Sequence, residues 1–299
     1  MVNRQYNYVT LDVFTSTRFQ GNPLAVVPDA DGFSDNEMQR VAAEFNLSET
    51  VFLLPPSNGT AAARARIFTP RRELPFAGHP TIGAAAVLAA RKRVGPSFVI
   101  EESVGPIDIE CDADLSGTQL FWLSTPPVAF FETLDPEFCT RLLGVDRRDV
   151  RDGVPPTFIS AGSPLLCICL TSTEAVDRAQ LQHAYLPRAL GSVNSVATFV
   201  FARKEPRSDE NFDVYSRMFA PQTGITEDPA TGGATGPLAA YMMRYGLLPR
   251  DVPARFVSEQ GVKMGRRSVL HVRTSPNDAS IKVGGSTVSV ASGVLALAS

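Results

Sequence analysis

The sequence predicts an α+β protein of two pseudo-symmetric domains, each a curved mixed β-sheet wrapped around a central helix. Three observations lead to that class: a length of 299 residues, an internal duplication of short landmarks, and two helices that are apolar on every side. The chain exceeds the usual size of one domain about twofold, so two domains of roughly 150 residues, each with its own core, are expected.

The duplication emerges when the second half is slid along the first. Gly21-Asn22-Pro23-Leu24 before Ala25-Val26-Val27 resembles Gly162-Ser163-Pro164-Leu165 before Leu166-Cys167-Ile168. Thr50-Val51-Phe52-Leu53 resembles Thr198-Phe199-Val200-Phe201, and Arg66-Ile67-Phe68-Thr69-Pro70 resembles Arg217-Met218-Phe219-Ala220-Pro221. Phe98-Val99-Ile100-Glu101 resembles Phe256-Val257-Ser258-Glu259. The distance between partners grows steadily in chain order, as duplication followed by small insertions leaves it. Paired prolines in Ser124-Thr125-Pro126-Pro127 end the strand-like run Gln119 to Leu123 and cannot continue a sheet ladder, so the boundary falls there. The first domain is expected over 1–124, joined by a C-terminal strand at about 280–299, and the second over 125–279.

Short β-branched and aromatic runs, Tyr8 to Phe14, Ala25 to Val27, Thr50 to Leu54 and Arg64 to Phe68, read as strands. Ser34 to Phe45 reads as an amphipathic surface helix, with Ser34 and Glu37 spaced as a capping box. The run from Pro80 to about Ala90 is apolar all round and must be buried; Pro237 to Met243 has the same character.

A net charge of −3 argues against a general nucleic-acid binder, which needs a basic face for phosphates. A polar amino terminus and the lack of about 18 successive apolar residues predict a cytoplasmic protein outside the membrane. Cys111, Cys139, Cys167 and Cys169 form no C-x-x-C pair and read as core or half-buried thiols. His79, His183 and His271 lack metal-ligand spacing, so no metal site is expected.

Both apolar helices open on small residues, at Phe76-Ala77-Gly78-His79-Pro80-Thr81 and at Asp228-Pro229-Ala230-Thr231-Gly232-Gly233. A helix start carries unpaired N–H groups and about half a positive charge, so bare glycine backbone there suits a carboxylate or a developing oxyanion. Gly78, Thr81, Gly232 and Gly233 are therefore candidate substrate-binding residues, with plain helix capping the alternative, and the two starts are expected to face one cleft. Neither is a P-loop or a dinucleotide fingerprint.

Proton carriers are sought where the copies differ, because an asymmetric substrate has one productive orientation. Glu49 heads a strand where the second copy has Ala197. Desolvation beside that apolar strand would raise the proton affinity of a carboxylate, as acid/base work near neutral pH requires; a solvent-facing strand-end glutamate is the plainer alternative. His79 lies in the first turn of a buried helix, whose positive end favours the neutral imidazole; a satisfied core histidine is its alternative. Asp228 precedes Pro229 just before the second helix start and also suits a cap or Asx turn.

Gly21-Asn22-Pro23, Asn46-Leu47-Ser48-Glu49-Thr50, Leu74-Pro75-Phe76-Ala77-Gly78-His79-Pro80-Thr81 and Glu227-Asp228-Pro229-Ala230-Thr231-Gly232, in this order, resemble the PhzF-like family of phenazine-biosynthesis isomerases, from about Tyr8 to Val290. The resemblance implies a diaminopimelate-epimerase-like fold, a homodimer, and no metal, nucleotide or pyridoxal cofactor. It implies an enzyme that moves a proton along the ring of trans-2,3-dihydro-3-hydroxyanthranilate, with Glu49 taking it from C3 and returning one to C1. His79 and Asp228 would hold the substrate's polar groups, and N–H groups near Gly78 and Gly232 its carboxylate. The pattern departs at Gly233, where the phenazine enzyme carries a serine.

Two other readings stay open at this point. An epimerase or racemase of the same fold would exchange an α-proton between two thiols at the helix starts, yet no cysteine lies near either motif. A small-molecule-binding protein without turnover would keep the cleft alone. Phosphate chemistry rests only on the glycine-rich starts, and Arg71-Arg72 and Arg266-Arg267 read as solvated turns.

Overall fold

The computed structural model describes residues 4–57, 59–91, 94–114, 116–186, 196–204, 213–276 and 280–297. The chain divides into two compact units, residues 1–124 with 284–299, and residues 125–283.

In the first unit β1 (Arg4–Val13) is antiparallel to β2 (Asn22–Val27), which runs parallel to β3 (Glu49–Leu54). β3 is antiparallel to β4 (Ala63–Phe68), which pairs with the short β5 (Glu73–Leu74) and, in parallel, with β6 (Ser97–Glu102). Antiparallel β7 (Gly105–Ala113) and β8 (Gln119–Ser124) follow. The helix α1 (Asp35–Phe45) covers one face, packing Met38, Val41 and Ala42 on Val27, Phe52 and Phe68. The helix α2 (Gly78–Ala90) packs on β1, β2, β3, β4 and β8. A single helix reaches strands so far apart in the pairing order because the sheet curls around it.

The second unit repeats this plan. After β9 (Ala129–Thr133) and the helix α3 (Pro136–Leu143), β10 (Thr157–Ser160) is antiparallel to β11 (Pro164–Leu170). The helix α4 (Thr173–Arg178) leads to β12 (Ala197–Arg203), parallel to β11. β13 (Val214–Ala220) is antiparallel to β12, pairs with the short β14 (Ile225–Asp228) and, in parallel, with β15 (Ala254–Gln260), which is antiparallel to β16 (Ser268–Thr274). The helix α5 (Gly232–Arg244) packs on β10, β11 and β16. Strand by strand, the parallel and antiparallel pairings from β2 to β7 recur from β11 to β16. Then β17 (Ile281–Gly285) leads into β18 (Thr287–Leu297), which lies antiparallel to β1 along its whole length.

Period-two alternation sorts the second unit's core. On β11 Leu165, Cys167 and Cys169 face the cluster around α5, while Leu166, Ile168 and Leu170 face the opposite cluster. Burial pushes the Cys169 thiol up to about 12, so these sulfurs are inert packing groups.

Both central helices start earlier than their apolar runs suggest, at Gly78 rather than Pro80 and at Gly232 rather than Pro237. Pro80 is tolerated in a first turn, where an N–H would be orphaned anyway. Each helix needs a glycine against its own unit. A Cβ on Gly83 would lie 2.2 Å from Leu24 Cδ2, and one on Gly236 would lie 2.3 Å from Thr125 Oγ1.

The α1 capping box forms as spaced: Ser34 Oγ accepts from the Glu37 N–H at 3.3 Å, and Glu37 Oε2 accepts from the Ser34 N–H at 2.8 Å. Ser34→Ala is expected to cost about 1 kcal/mol in urea unfolding.

An arginine repeats with the strands. Arg66 of β4 forks onto Glu73 at 2.7 and 2.6 Å, and Arg217 of β13 forks onto Glu227 at 2.9 and 2.9 Å. Each guanidinium carbon also stands over the phenylalanine two residues on, Phe68 at 5.2 Å and Phe219 at 4.8 Å from the ring centre.

Candidate active site

The first unit gathers a buried polar cluster at the start of α2. Gly21 turns the chain into β2 at φ +67°, where a Cβ would lie 2.3 Å from Val13 O, so glycine is required there. That turn delivers Asn22, fully buried, with Nδ2 3.3 Å from His79 Nδ1. Ser48 donates to Asn22 Oδ1 at 3.2 Å. Glu49, the next residue, opens β3 in register with Leu24 of β2, and its Oε2 lies 3.5 Å from His79 Nε2. Ala197 opens β12 in register with Leu165, so the carboxylate stands in one copy where a methyl stands in the other.

His79 is 4 % exposed, and burial pushes its imidazole down to about 3, against a hydrogen bond to the Pro23 backbone that works the other way. The ring is therefore neutral at physiological pH. In the unfolded chain His79 takes a proton as the pH falls below 6.5, whereas the folded protein refuses it until about 3. The unfolded state then binds more protons, so His79 costs the fold stability on that descent. Between pH 7 and pH 5 the protein is expected to lose about 2 kcal/mol relative to His79→Gln, read from urea unfolding at both pH values.

Ala77, the N-cap of α2, makes no side-chain capping bond. The N–H groups of Gly78 and His79 thus lie in the turn that has no intrahelical acceptors. Thr81 differs from expectation. Its hydroxyl lies 2.7 Å from Ala77 O and 2.5 Å from Glu102 Oε1, its N–H donates to Ala77 O at 3.3 Å, and the residue is fully buried. Both its polar groups are committed inside the unit, so Thr81 braces the helix start and offers no side-chain contact to a substrate.

In the second unit Asp228 closes β14 and is 9 % exposed. Its Oδ2 accepts from Thr231 Oγ1 at 2.5 Å. Fully buried Gln260, at the end of β15, pins the same loop: its Nε2 donates to Asp228 O at 2.7 Å and to Thr231 Oγ1 at 3.0 Å, and its Oε1 accepts the Thr231 N–H at 3.1 Å. Thr231 is the N-cap of α5 but gives it no side-chain bond. Gly232 and Gly233 occupy the first two helical positions, and the Ala234 and Thr235 N–H groups already turn back to Thr231 O at 3.0 and 3.1 Å.

Asn22 and Ser48 stand inside the sequence strings quoted above without a role, and their signal is adjacency to Pro23 and Glu49. Gln260 has no local signal, because strand register alone brings it to Asp228. The cysteines lie elsewhere: Cys139, Cys167 and Cys169 are in the core of the second unit and Cys111 on β7, so neither helix start carries a thiol. Among the described residues no group of three or more His, Cys, Asp and Glu is placed to hold a metal ion. No helix among them is long and apolar enough to cross a membrane. A cavity of about 580 Å³ in the first unit lies at the opposite, C-terminal end of α2, against Ala86, Val87 and Ala90. Its one charged lining residue, Arg91, is tied to Asp29 at 2.7 Å, so the acid/base groups are not in it.

The family profile described as phenazine biosynthesis-like protein, PhzC-PhzF, matches residues 11–293. An uncharacterized isomerase of Mesorhizobium japonicum is 37 % identical over 299 residues, covering 97 % of this chain and 98 % of that protein. The trans-2,3-dihydro-3-hydroxyanthranilate isomerase of Pseudomonas fluorescens is 36 % identical over 271 residues, covering 90 % of each. Among solved structures, the phenazine biosynthesis protein of the PhzF family from Bacillus anthracis superposes with a TM-score of 0.89 at 25 % identity, over 98 % of this chain and 99 % of that one. With the α+β repeat and the buried Glu49–His79 pair, likeness of this extent leads to one conclusion: the chain belongs to the phenazine biosynthesis-like PhzC-PhzF family and is an isomerase.

Proposed function

We propose that this isomerase moves a proton within a small cyclic carboxylic acid resembling trans-2,3-dihydro-3-hydroxyanthranilate, without a cofactor, and that Glu49 carries the proton. The observation that supports this most is the buried Glu49 Oε2 at 3.5 Å from a neutral imidazole, beside a helix start with no side-chain cap. Glu49 as carboxylate takes a proton from C3; the electron pair left behind shifts along the conjugated system, and the Glu49 acid returns a proton at C1. Substrate and product are isomers, so no oxidant or reductant enters. A neutral His79 supplies or accepts a hydrogen bond to a substrate hydroxyl or amine without adding charge that would pin Glu49 as an anion. The Gly78 N–H is assigned to the substrate's carboxylate; in the second unit Asp228 and the N–H groups of Gly232 and Gly233 are assigned to the polar groups and carboxylates of the same class of ligand. Gly233 offers backbone alone, so recognition there extends to carboxylates that need no hydroxyl contact.

The test is turnover of cyclic amino and hydroxy acids in D₂O. Deuterium is expected at the carbon that receives the proton, with no added metal or nucleotide. Product formed without solvent deuterium, under conditions where the Glu49 acid exchanges with water, would sink the proposed proton shuttle.

A further inference from the structure

One buried titratable group takes no part in that chemistry. Glu102, the last residue of β6, is 5 % exposed, and its Oε2 has no hydrogen-bond partner among the described residues. Its Oε1 lies 2.5 Å from Thr81 Oγ1, which in turn lies 2.7 Å from Ala77 O. A threonine hydroxyl has a single proton. Were the carboxyl ionised, it and the Ala77 carbonyl, which also accepts the Thr81 N–H, would both draw on that one proton. A proton on the carboxyl lets both contacts be hydrogen bonds at once.

We propose that Glu102 is a positioning residue of the isomerase: as a neutral carboxylic acid it donates to Thr81 Oγ1 and so fastens the N-cap of α2, with Gly78 and His79, in place. Its relevance to turnover rests on the reading that this helix start serves the substrate. Donation from Glu102 to Thr81 and from Thr81 to Ala77 closes a chain without leaving either hydroxyl or carbonyl short. Removing the acid's proton breaks the chain, because a carboxylate and a carbonyl must then compete for the threonine's one proton while Oε2 holds buried charge unsolvated.

The surroundings agree. Burial pushes Glu102 up to about 8, even against the pull that the Thr81 hydroxyl exerts when it donates to the carboxylate instead. The nearby charged groups are engaged elsewhere. Glu101 on the same strand binds Ser57, with Arg64 of β4 acting on it, and Glu73 of β5 is held by Arg66. Asp108 of β7 is exposed, and His79 of α2 is neutral. With a folded value above the ordinary 4.5, the stability that Glu102 contributes is full below 4.5 and is lost as the pH rises through about 8.

Three proteins test this: wild type, Glu102→Gln, whose amide N–H replaces the acid's donor, and Glu102→Met, which keeps the volume without it. Turnover of the wild type is expected to fall severalfold as the pH rises through about 8. Glu102→Gln should match the wild type at pH 7 within about twofold and show no such fall, while Glu102→Met should lose about tenfold at pH 7, from loss of one buried hydrogen bond. An alkaline fall in Glu102→Gln equal to that of the wild type would overturn the proposal. Infrared difference spectra of wild type against Glu102→Gln provide a readout that needs no substrate. A protonated carboxyl stretch at pH 7 that vanishes at alkaline pH is expected, and its absence at pH 7 defeats the proposal whether or not the proton-shuttle reading survives.

Discussion

Glu49→Gln is expected to lower turnover by about 10³-fold while leaving folding and substrate affinity close to wild type. General acid–base groups contribute roughly 10² to 10⁴ in rate, and an amide keeps the size and polarity of the side chain but cannot shuttle a proton. Glu49 opens β3 with its backbone already in the ladder to Leu24, so the exchange of one atom does not disturb the strand. The amide keeps the volume of the side chain, and the melting temperature should stay within a few degrees. Measured by isomer formation and by binding of the same compound, the expected pattern is a fall in kcat with little change in Kd. Full turnover in Glu49→Gln would remove Glu49 from the chemistry; loss of binding as well would make it a recognition residue instead.

The largest expected effect on stability belongs to Arg217→Met, at about 3 to 5 kcal/mol, the range for breaking one side of a buried ion pair. The Arg217 side chain is 9 % exposed and the Glu227 side chain 15 %. Besides the two bonds to Glu227, Arg217 Nη1 donates to the carbonyls of Val176, Asp177 and Ala179 at 3.0, 3.2 and 2.8 Å, closing the carboxyl end of α4. Methionine fills the space but removes a donor from each of those carbonyls, leaving Val176 O only the Ala179 N–H, and takes the fork away from the Glu227 carboxylate. Arg66→Met at the matching place is expected to cost about 1 kcal/mol, because that ion pair is more exposed and Asp35, its other partner, lies largely in solvent. Urea unfolding of the two variants measures the contrast. Adding Glu227→Gln to Arg217→Met should recover part of the loss, since a neutral amide is cheaper to bury unpaired than a carboxylate. Equal costs at positions 66 and 217 would show that the burial difference is not what decides.

The duplication was legible because its landmarks are the strands that flank each central helix. The pairs beginning at Gly21 and Gly162, Thr50 and Thr198, Arg66 and Arg217, and Phe98 and Phe256 lead to β2 and β11, β3 and β12, β4 and β13, and β6 and β15. Apolar composition on all sides marked α2 and α5 as buried. The helix α3 passed unnoticed although its signals are local: Asp135 caps it, Pro136 follows, and Gly144 ends it at φ +62°. Glu49, His79 and Asp228 stood out because they sit in short strings next to turn residues. Gln260 did not, because its value lies in reaching a loop some thirty positions away in the chain. What Thr81 does with its hydroxyl was not legible either, because only the course of β6 brings Glu102 against it.

The long ladder between β1 and β18 bears on how the protein is made. Of β1, only Val9 to Val13 pair with β2, so Arg4 to Tyr8 find their ladder partners in Gly293 to Leu297. At ribosomal speeds of about 5 to 20 residues per second, those partners are translated on the order of fifteen to sixty seconds after β1. The opening strand therefore waits, edge unsatisfied, while the entire second unit emerges and can fold. Birth order and completion order are reversed: β1 is made before the second unit and completed after it, and a stop codon between β17 and Gly293 would leave Arg4 to Tyr8 without their ladder partners.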